Sequence, residues 1–161
     1  MRGGISILSA FAFLWCIAAI GLGGRSFWWL IAPLAISAAI VAWARRVPGV
    51  GTHRQGAHVN RLVGMWSAIE GVAIGVSVLV LGALHLPQAI LPVIAVIVGL
   101  HFLPLARHIP VRLYYATGAA LAAVGGVGLA VPVAARPWWV GLGAAVVLWT
   151  TAVALARGAT G

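Results

Sequence analysis

A chain of 161 residues that is 63% hydrophobic and 7% charged has too little polar surface to cover a water-soluble core. Ten arginines stand against a single acidic side chain, Glu70, with no lysine and no aspartate, for a formal net charge of +9. The absent residue types exclude whole classes of chemistry. Without lysine there is no Schiff base and no phosphate-binding P-loop. One carboxylate cannot form an acid/base pair or a carboxylate-rich cation cage. Cys16 alone gives neither an intrachain disulfide nor a CxxC motif. The expectation is a protein that is not an enzyme and carries no cofactor.

Mean hydropathy is +1.13, and several apolar runs of about 18 residues or more follow one another, the length that crosses a bilayer core. Inside lipid a backbone must satisfy its own hydrogen bonds, so such runs are helices or closed-barrel strands. Barrel strands alternate polar and apolar residues. These runs are apolar on every side, which predicts an all-α integral membrane bundle, a single domain over residues 1–161. A pI near 12.0 would point a soluble protein toward nucleic acid, but here the arginines fall between the apolar runs. They read as topology signals, and no nucleic-acid partner is expected.

The first predicted helix covers residues 5–23 behind Arg2. It has the outline of a signal peptide, but small residues for cleavage are poorly placed. Cys16 follows Phe13, Leu14 and Trp15, where lipoprotein processing requires small residues, so an uncleaved helix is expected. The second, residues 27–44, opens with Phe27, Trp28 and Trp29 and ends before Arg45 and Arg46, marking two membrane interfaces. Pro33 inside it is expected to kink it. A polar loop follows at 47–61, holding His53, Arg54 and His58. With no third ligand nearby, those histidines do not make a metal site.

The third helix covers 62–84, and His85-Leu86-Pro87 turns into the fourth, 88–106. A short basic connection leads to the fifth, 113–131, rich in glycine and alanine. The sixth, 137–156, follows a turn through Pro132 and Arg136. With the N-terminus inside, Arg2, Arg45, Arg46, Arg54, Arg61, Arg107, Arg112 and Arg157 lie on the inner side, and only Arg25 and Arg136 on the outer. That asymmetry places both termini in the cytoplasm of a bacterial inner-membrane protein. The Trp28-Trp29 and Trp138-Trp139 pairs both fall at the outer interface, and their similar settings hint that the first and last hairpins are duplicates.

Function has to be sought around Glu70. It lies eight residues into the third helix, roughly 12 Å from the inner boundary at 1.5 Å per residue. A carboxylate at such depth faces a protein interior, a partner or a water-filled cavity. His101 sits at comparable depth on the returning fourth helix, six residues before Arg107, so a Glu70–His101 hydrogen bond is predicted. Pro104 removes an amide donor and frees the Leu100 carbonyl beside that histidine. Trp66 and Ser67, one turn before Glu70, complete the candidate substrate- or proton-binding set. Ser67, Glu70 and His101 are the residue types of a hydrolase triad, but two of them share one turn and no oxyanion-hole motif is visible. Gly64, Ala68, Gly71 and Gly75 form a small-residue stripe beside Glu70, and Gly118, Ala122 and Gly126 a second on the fifth helix. Both are helix-packing candidates.

The run Val98-Gly-Leu-His-Phe-Leu-Pro-Leu-Ala106 followed by Arg107, then Tyr114-Tyr115-Ala-Thr-Gly118, resembles a pattern in uncharacterised small multi-pass bacterial membrane proteins. That resemblance implies a membrane bundle and no particular activity. A lone glutamate in a small-residue helix is also similar to small multidrug resistance transporters, which have four helices with the glutamate in the first. Here six are expected, with the glutamate in the third, which leaves an analogy of mechanism. Two functions are compatible with this reading. One is a transporter or permease-like protein in which Glu70 exchanges a proton or binds a cation. The other is a non-catalytic scaffold or accessory subunit in which Glu70 and His101 fix helix packing. Lipid is the expected environment, with a homodimer or a membrane partner protein plausible from the glycine stripes.

Overall fold

The structure, a computed structural model, describes residues 2–47, 57–109 and 111–158, with the backbone alone for Arg2 and residues 57–60. It is all-helical, with no strand among the described residues: α1 (Arg2–Leu22), α2 (Ile31–Arg46), α3 (Ala57–Ala83), α4 (Ile90–His108), α5 (Leu113–Ala130) and α6 (Arg136–Ala156). Each of the six is long and apolar enough to cross a membrane. The expected fold class therefore holds. The loop expectations for His53 and Arg54 lie outside the described residues, as does the side chain of His58.

The helices differ from expectation at their ends, for local reasons. α3 begins five residues before the predicted start at 62, because the helix continues out of the apolar run into its polar flank. Pro33 is the third residue of α2, in the first turn, where helical amides have no intrahelical acceptor to lose. All three turns at the Trp end of the bundle enter the next helix through a short 3-10 turn, at Phe27–Leu30, Pro87–Ala89 and Val133–Ala135. Trp28 and Trp29 lie in the first of these turns, whereas Trp138 and Trp139 lie in the first turn of α6. The two Trp pairs thus occupy different places in their hairpins.

Helix ends are closed in two ways. After α1 and α3 the amide of Arg25 donates to the Ile20 carbonyl and that of Leu86 to Leu81, at 3.0 and 2.8 Å, across a residue of positive φ. This is the Schellman pattern, with Gly24 (φ 68) and His85 (φ 56) in the left-handed position. α5 ends on Val131 in extended conformation before Pro132, and there Arg136 supplies the donors. Its Nε and Nη2 donate to the carbonyls of Val131 and Leu129, both at 2.9 Å.

Across the bundle the helices run in the order α2, α1, α6, α5, α4, α3, each packed on the next, with the closest seams α4–α5 and α1–α6. The most deeply buried helices are α6 and α1, which pack on each other and draw together the first and last helices of the chain. Ala12, Cys16 and Ala19 of α1 and Val140, Ala144, Ala145 and Leu148 of α6 are fully or almost fully buried. Glycines make the approach possible: a Cβ on Gly141 would meet Ala19 Cβ at 2.6 Å and the Trp15 carbonyl at 2.8 Å. A Cβ on Gly23 would meet the Trp138 ring at 2.6 Å, so α1 and α6 are antiparallel and share their Trp end. At the opposite end Tyr114 stacks edge-on against Phe102 at 5.6 Å and brings its hydroxyl close to Gly4.

α3 is the exception. It packs on α4 and on the turn that follows α3 itself, and its spanning segment holds no buried residue. The sole side-chain carboxylate of the protein is thus carried on the helix least enclosed by the others.

Candidate functional site

Glu70 and His101 meet across the α3–α4 seam. The antiparallel hairpin puts residues equally far from its turn opposite one another. His101 Nε2 and Glu70 Oε2 are 3.6 Å apart, with the histidine side chain 9% and the glutamate 19% exposed. The predicted pairing of positions is present, but at ion-pair distance, outside the 2.7–3.2 Å range of an N–H···O hydrogen bond. The backbone carbonyl of Trp66 also faces the His101 ring, so the ring is directed at acceptors on α3 from both side chain and backbone.

Around the pair lies an open cleft of about 360 Å³ between α3 and α4. Trp66, Ile69, Glu70 and Ala73 form one wall, and Ile97, Leu100, His101, Leu103 and Pro104 the other. Pro104 lies inside α4, and its missing amide leaves the Leu100 carbonyl without its usual helical donor. Trp66 precedes Glu70 by four residues, one turn on the same face. Trp66 Nε1 and His101 Nδ1 are both buried without a hydrogen-bond partner. Such unpaired polar atoms are uncommon in folded proteins and cost free energy where they stand.

Of the other candidates, Ser67 is exposed and does not line the cleft. That removes it from the site, since at one residue past Trp66 it is turned about 100° around the helix. Gly64, Gly71 and Gly75 face open space, with nothing within 4 Å of where a Cβ would stand. Of the second stripe, Gly118 and Ala122 lie against Gly99 of α4, whereas Gly126 faces open space. Gly125, against Pro92, and Gly128, against Val140 and Pro92, are buried in its place.

Sequence reasoning also passed over a set of hydroxyls in the middle of apolar runs. Thr117 of α5 and Thr151 of α6 share a 2.8 Å hydrogen bond, and each hydroxyl is also within donating distance of a carbonyl of its own helix, Leu113 at 3.0 Å and Val147 at 2.8 Å. Ser37 of α2 donates to the Ser9 carbonyl of α1 at 3.1 Å, and Trp149 Nε1 of α6 donates to Ser37 Oγ at 3.0 Å, tying three helices together. Hydroxyl side chains inside spanning helices can hydrogen-bond across helices, as these do. No group of three or more His, Cys or acidic side chains suited to a metal ion occurs among the described residues.

A six-helix, multi-pass membrane architecture with one carboxylate-bearing cleft is the class of protein that fold and site define. No protein-family model, no curated protein and no solved structure matches the chain.

Proposed function

We propose that this is a small transporter or permease-like protein of the bacterial cytoplasmic membrane, with both termini inside. In this reading Glu70 exchanges a proton or binds a cation, and His101 tunes it. The observation that supports it is the placing of the only side-chain carboxylate on the wall of an open cleft, next to a histidine with an unpartnered nitrogen. A group kept only for packing has no need of a cleft. Location on the edge helix α3 favours the same reading, because a helix held along one neighbour moves at lower cost than one held along several.

The test uses an accident of composition. With one side-chain carboxyl in the chain, a pH-difference infrared spectrum in lipid has a carboxyl band that only the C-terminus shares, and Glu70→Gln subtracts it out. Titration of that band between about pH 5 and 9 is expected for an exchanging group. A band that stays silent across the range sinks the proton-coupled reading. One observation favours the second reading, a scaffold or accessory subunit: the open small-residue face of α3 has the shape of a helix-docking surface, for a second copy or another membrane protein.

A further inference from the structure

We propose that the cavity between the start of α1 and the end of α2 binds the phosphate group of an anionic phospholipid. This site stands apart from the cleft at Glu70 and does not depend on the reading given to that cleft.

Arginines gather at one end of the bundle. Arg45 and Arg46 close α2, Arg107 is in the last turn of α4, Arg112 precedes α5 and Arg157 follows α6. Consecutive helices alternate in direction, so these positions share an end with the start of α1. All five side chains are exposed, and the only acidic side chain, Glu70, faces His101 instead. Their counter-charge has to come from elsewhere. Arg45 differs from the other four because it lines a cavity of about 260 Å³, together with Gly3, Ser6, Val41 and Ala44.

That lining offers donors and no acidic group. The Arg45 guanidinium presents its N–H groups as a fork that fits phosphate oxygens. Gly3 lies in the first turn of α1, where amides have no intrahelical acceptor and the helix dipole favours negative charge. No acidic residue occupies that turn, and Ser6 adds a hydroxyl. Donors carried by two different helices suit the tetrahedral oxygens of a phosphate better than the two coplanar oxygens of a carboxylate. Polarity continues along the same seam. Ser9 follows Ser6 by three residues on one face of α1, and Ser37 precedes Val41 by about one turn of α2. Ser37 donates to the Ser9 carbonyl, and Ser9 Oγ is buried without a partner.

Size decides between a lipid and a soluble phosphate compound. About 260 Å³ falls below the roughly 300–1,000 Å³ of sites that enclose a whole small molecule. The cavity therefore takes a headgroup and leaves the rest of the ligand outside. Ile7 and Phe11 of α1 and Ile36 of α2 are exposed apolar side chains on the same two helices, surface suited to acyl chains. Basic pockets between spanning helices hold lipid headgroups in this manner.

The experiment is native mass spectrometry of the full, delipidated chain in detergent, titrated with dioleoyl phosphatidylglycerol. Dioleoyl phosphatidylcholine keeps the phosphate and tails but cancels the charge, and dioleoylglycerol keeps the tails alone. Oleate carries a carboxylate on the same tail, and glycerol phosphate carries the phosphate without a tail. Saturable binding of one phosphatidylglycerol is expected, about tenfold or more tighter than any of the four comparators. Arg45→Gln should lose about tenfold or more. Arg46→Gln removes the same charge from the adjacent position, off the cavity, and should lose less than about fivefold. Val41→Trp fills the cavity with every charge in place and should also lose about tenfold or more. If Arg45→Gln does not insert into the membrane, Val41→Trp and the wild-type ligand series decide. Equal losses at Arg45 and Arg46, or unchanged binding in Val41→Trp, reduce the effect to surface charge and overturn the site. Oleate binding as tightly as phosphatidylglycerol overturns the phosphate assignment, and glycerol phosphate doing so overturns the lipid.

Discussion

The chain carries two glycine-lined helix faces that look alike as sequence and differ completely as structure. On the α4–α5 seam a Cβ at Gly99 would meet the Ala122 amide nitrogen at 2.5 Å, one at Gly118 the Gly99 carbonyl at 2.6 Å, and one at Gly125 the Pro92 carbonyl at 2.5 Å. Backbone lies directly on backbone there. On α3, Gly64, Gly71, Gly75 and Gly82 have nothing within 4 Å of the same position. In lipid no hydrophobic force drives helices together, so close van der Waals contact and interhelical hydrogen bonds must do it. The first face obtains that contact within the chain. The second is available for contact that the chain itself does not make, and Glu70, about 100° around the same helix from Gly71, lines the cleft.

The largest expected effect separates these two faces. Gly118→Leu must push α4 and α5 apart along their length, and overpacking of this kind costs about 1–3 kcal/mol or more. Unfolding in mixed detergent–dodecyl sulfate micelles should show the loss as a markedly earlier midpoint. Gly71→Leu should change the same midpoint by no more than about 0.5 kcal/mol, the usual range for an uncrowded surface position. Should Gly71→Leu prove as damaging as Gly118→Leu, then α3 is packed in the purified protein against something outside the single chain. A second copy would show as a halved mass on light scattering of that variant.

That comparison also defines what was legible in the sequence. Length and apolarity of the runs determine six spanning helices, because the bilayer imposes both and no tertiary information is needed. Equal depth on an antiparallel hairpin was enough to bring Glu70 opposite His101, which sit 3.6 Å apart. Which glycines touch another helix was not legible. Gly125 and Gly126 are adjacent and chemically identical, yet one is buried against Pro92 and the other is open. The choice depends on the rotation of α5 about its axis, which neighbouring helices set. The same holds for Ser67, one residue from Trp66 and outside the cleft. The α1–α6 core was equally out of reach, since it joins the two ends of the chain and no local pattern announces it.

A smaller effect is expected from the hydroxyl links that hold the enclosed half together. Valine keeps the shape of threonine and removes the hydroxyl, so a double-mutant cycle of Thr117→Val and Thr151→Val isolates their 2.8 Å bond. Its coupling should be about 0.6 kcal/mol and not above about 1.7, the range found for such bonds inside membranes. Ser37→Ala should cost about 1 kcal/mol, because it leaves the Trp149 indole N–H without its acceptor in a partly buried place. Among the described residues of α3 no hydroxyl links it to another helix, so Ser77→Ala, which removes only a bond to the Ala73 carbonyl four residues back, should be close to neutral. A large loss at Ser77 with a small one at Ser37 would reverse the contrast between the enclosed helices and α3.

The smallest effect sits at the end of α3 and has the opposite sign. α1 and α3 end in the same hydrogen-bonded pattern, but α1 places Gly24 in the left-handed position and α3 places His85 there. A side chain with a Cβ pays about 1–2 kcal/mol for that conformation, and glycine avoids it. Glycine also loses more backbone freedom on folding, which returns about 0.5–1 kcal/mol of the gain. His85→Gly should therefore stabilise the hairpin slightly, by less than about 1 kcal/mol, seen as a small rise in the thermal midpoint in detergent. His85 is exposed and far from the cleft, so the infrared titration of Glu70 should not change with it. A stabilised His85→Gly with a lost Glu70 titration would instead mean that the site depends on strain at the turn that follows α3. That outcome would join the open helix and its cleft into one mechanical unit.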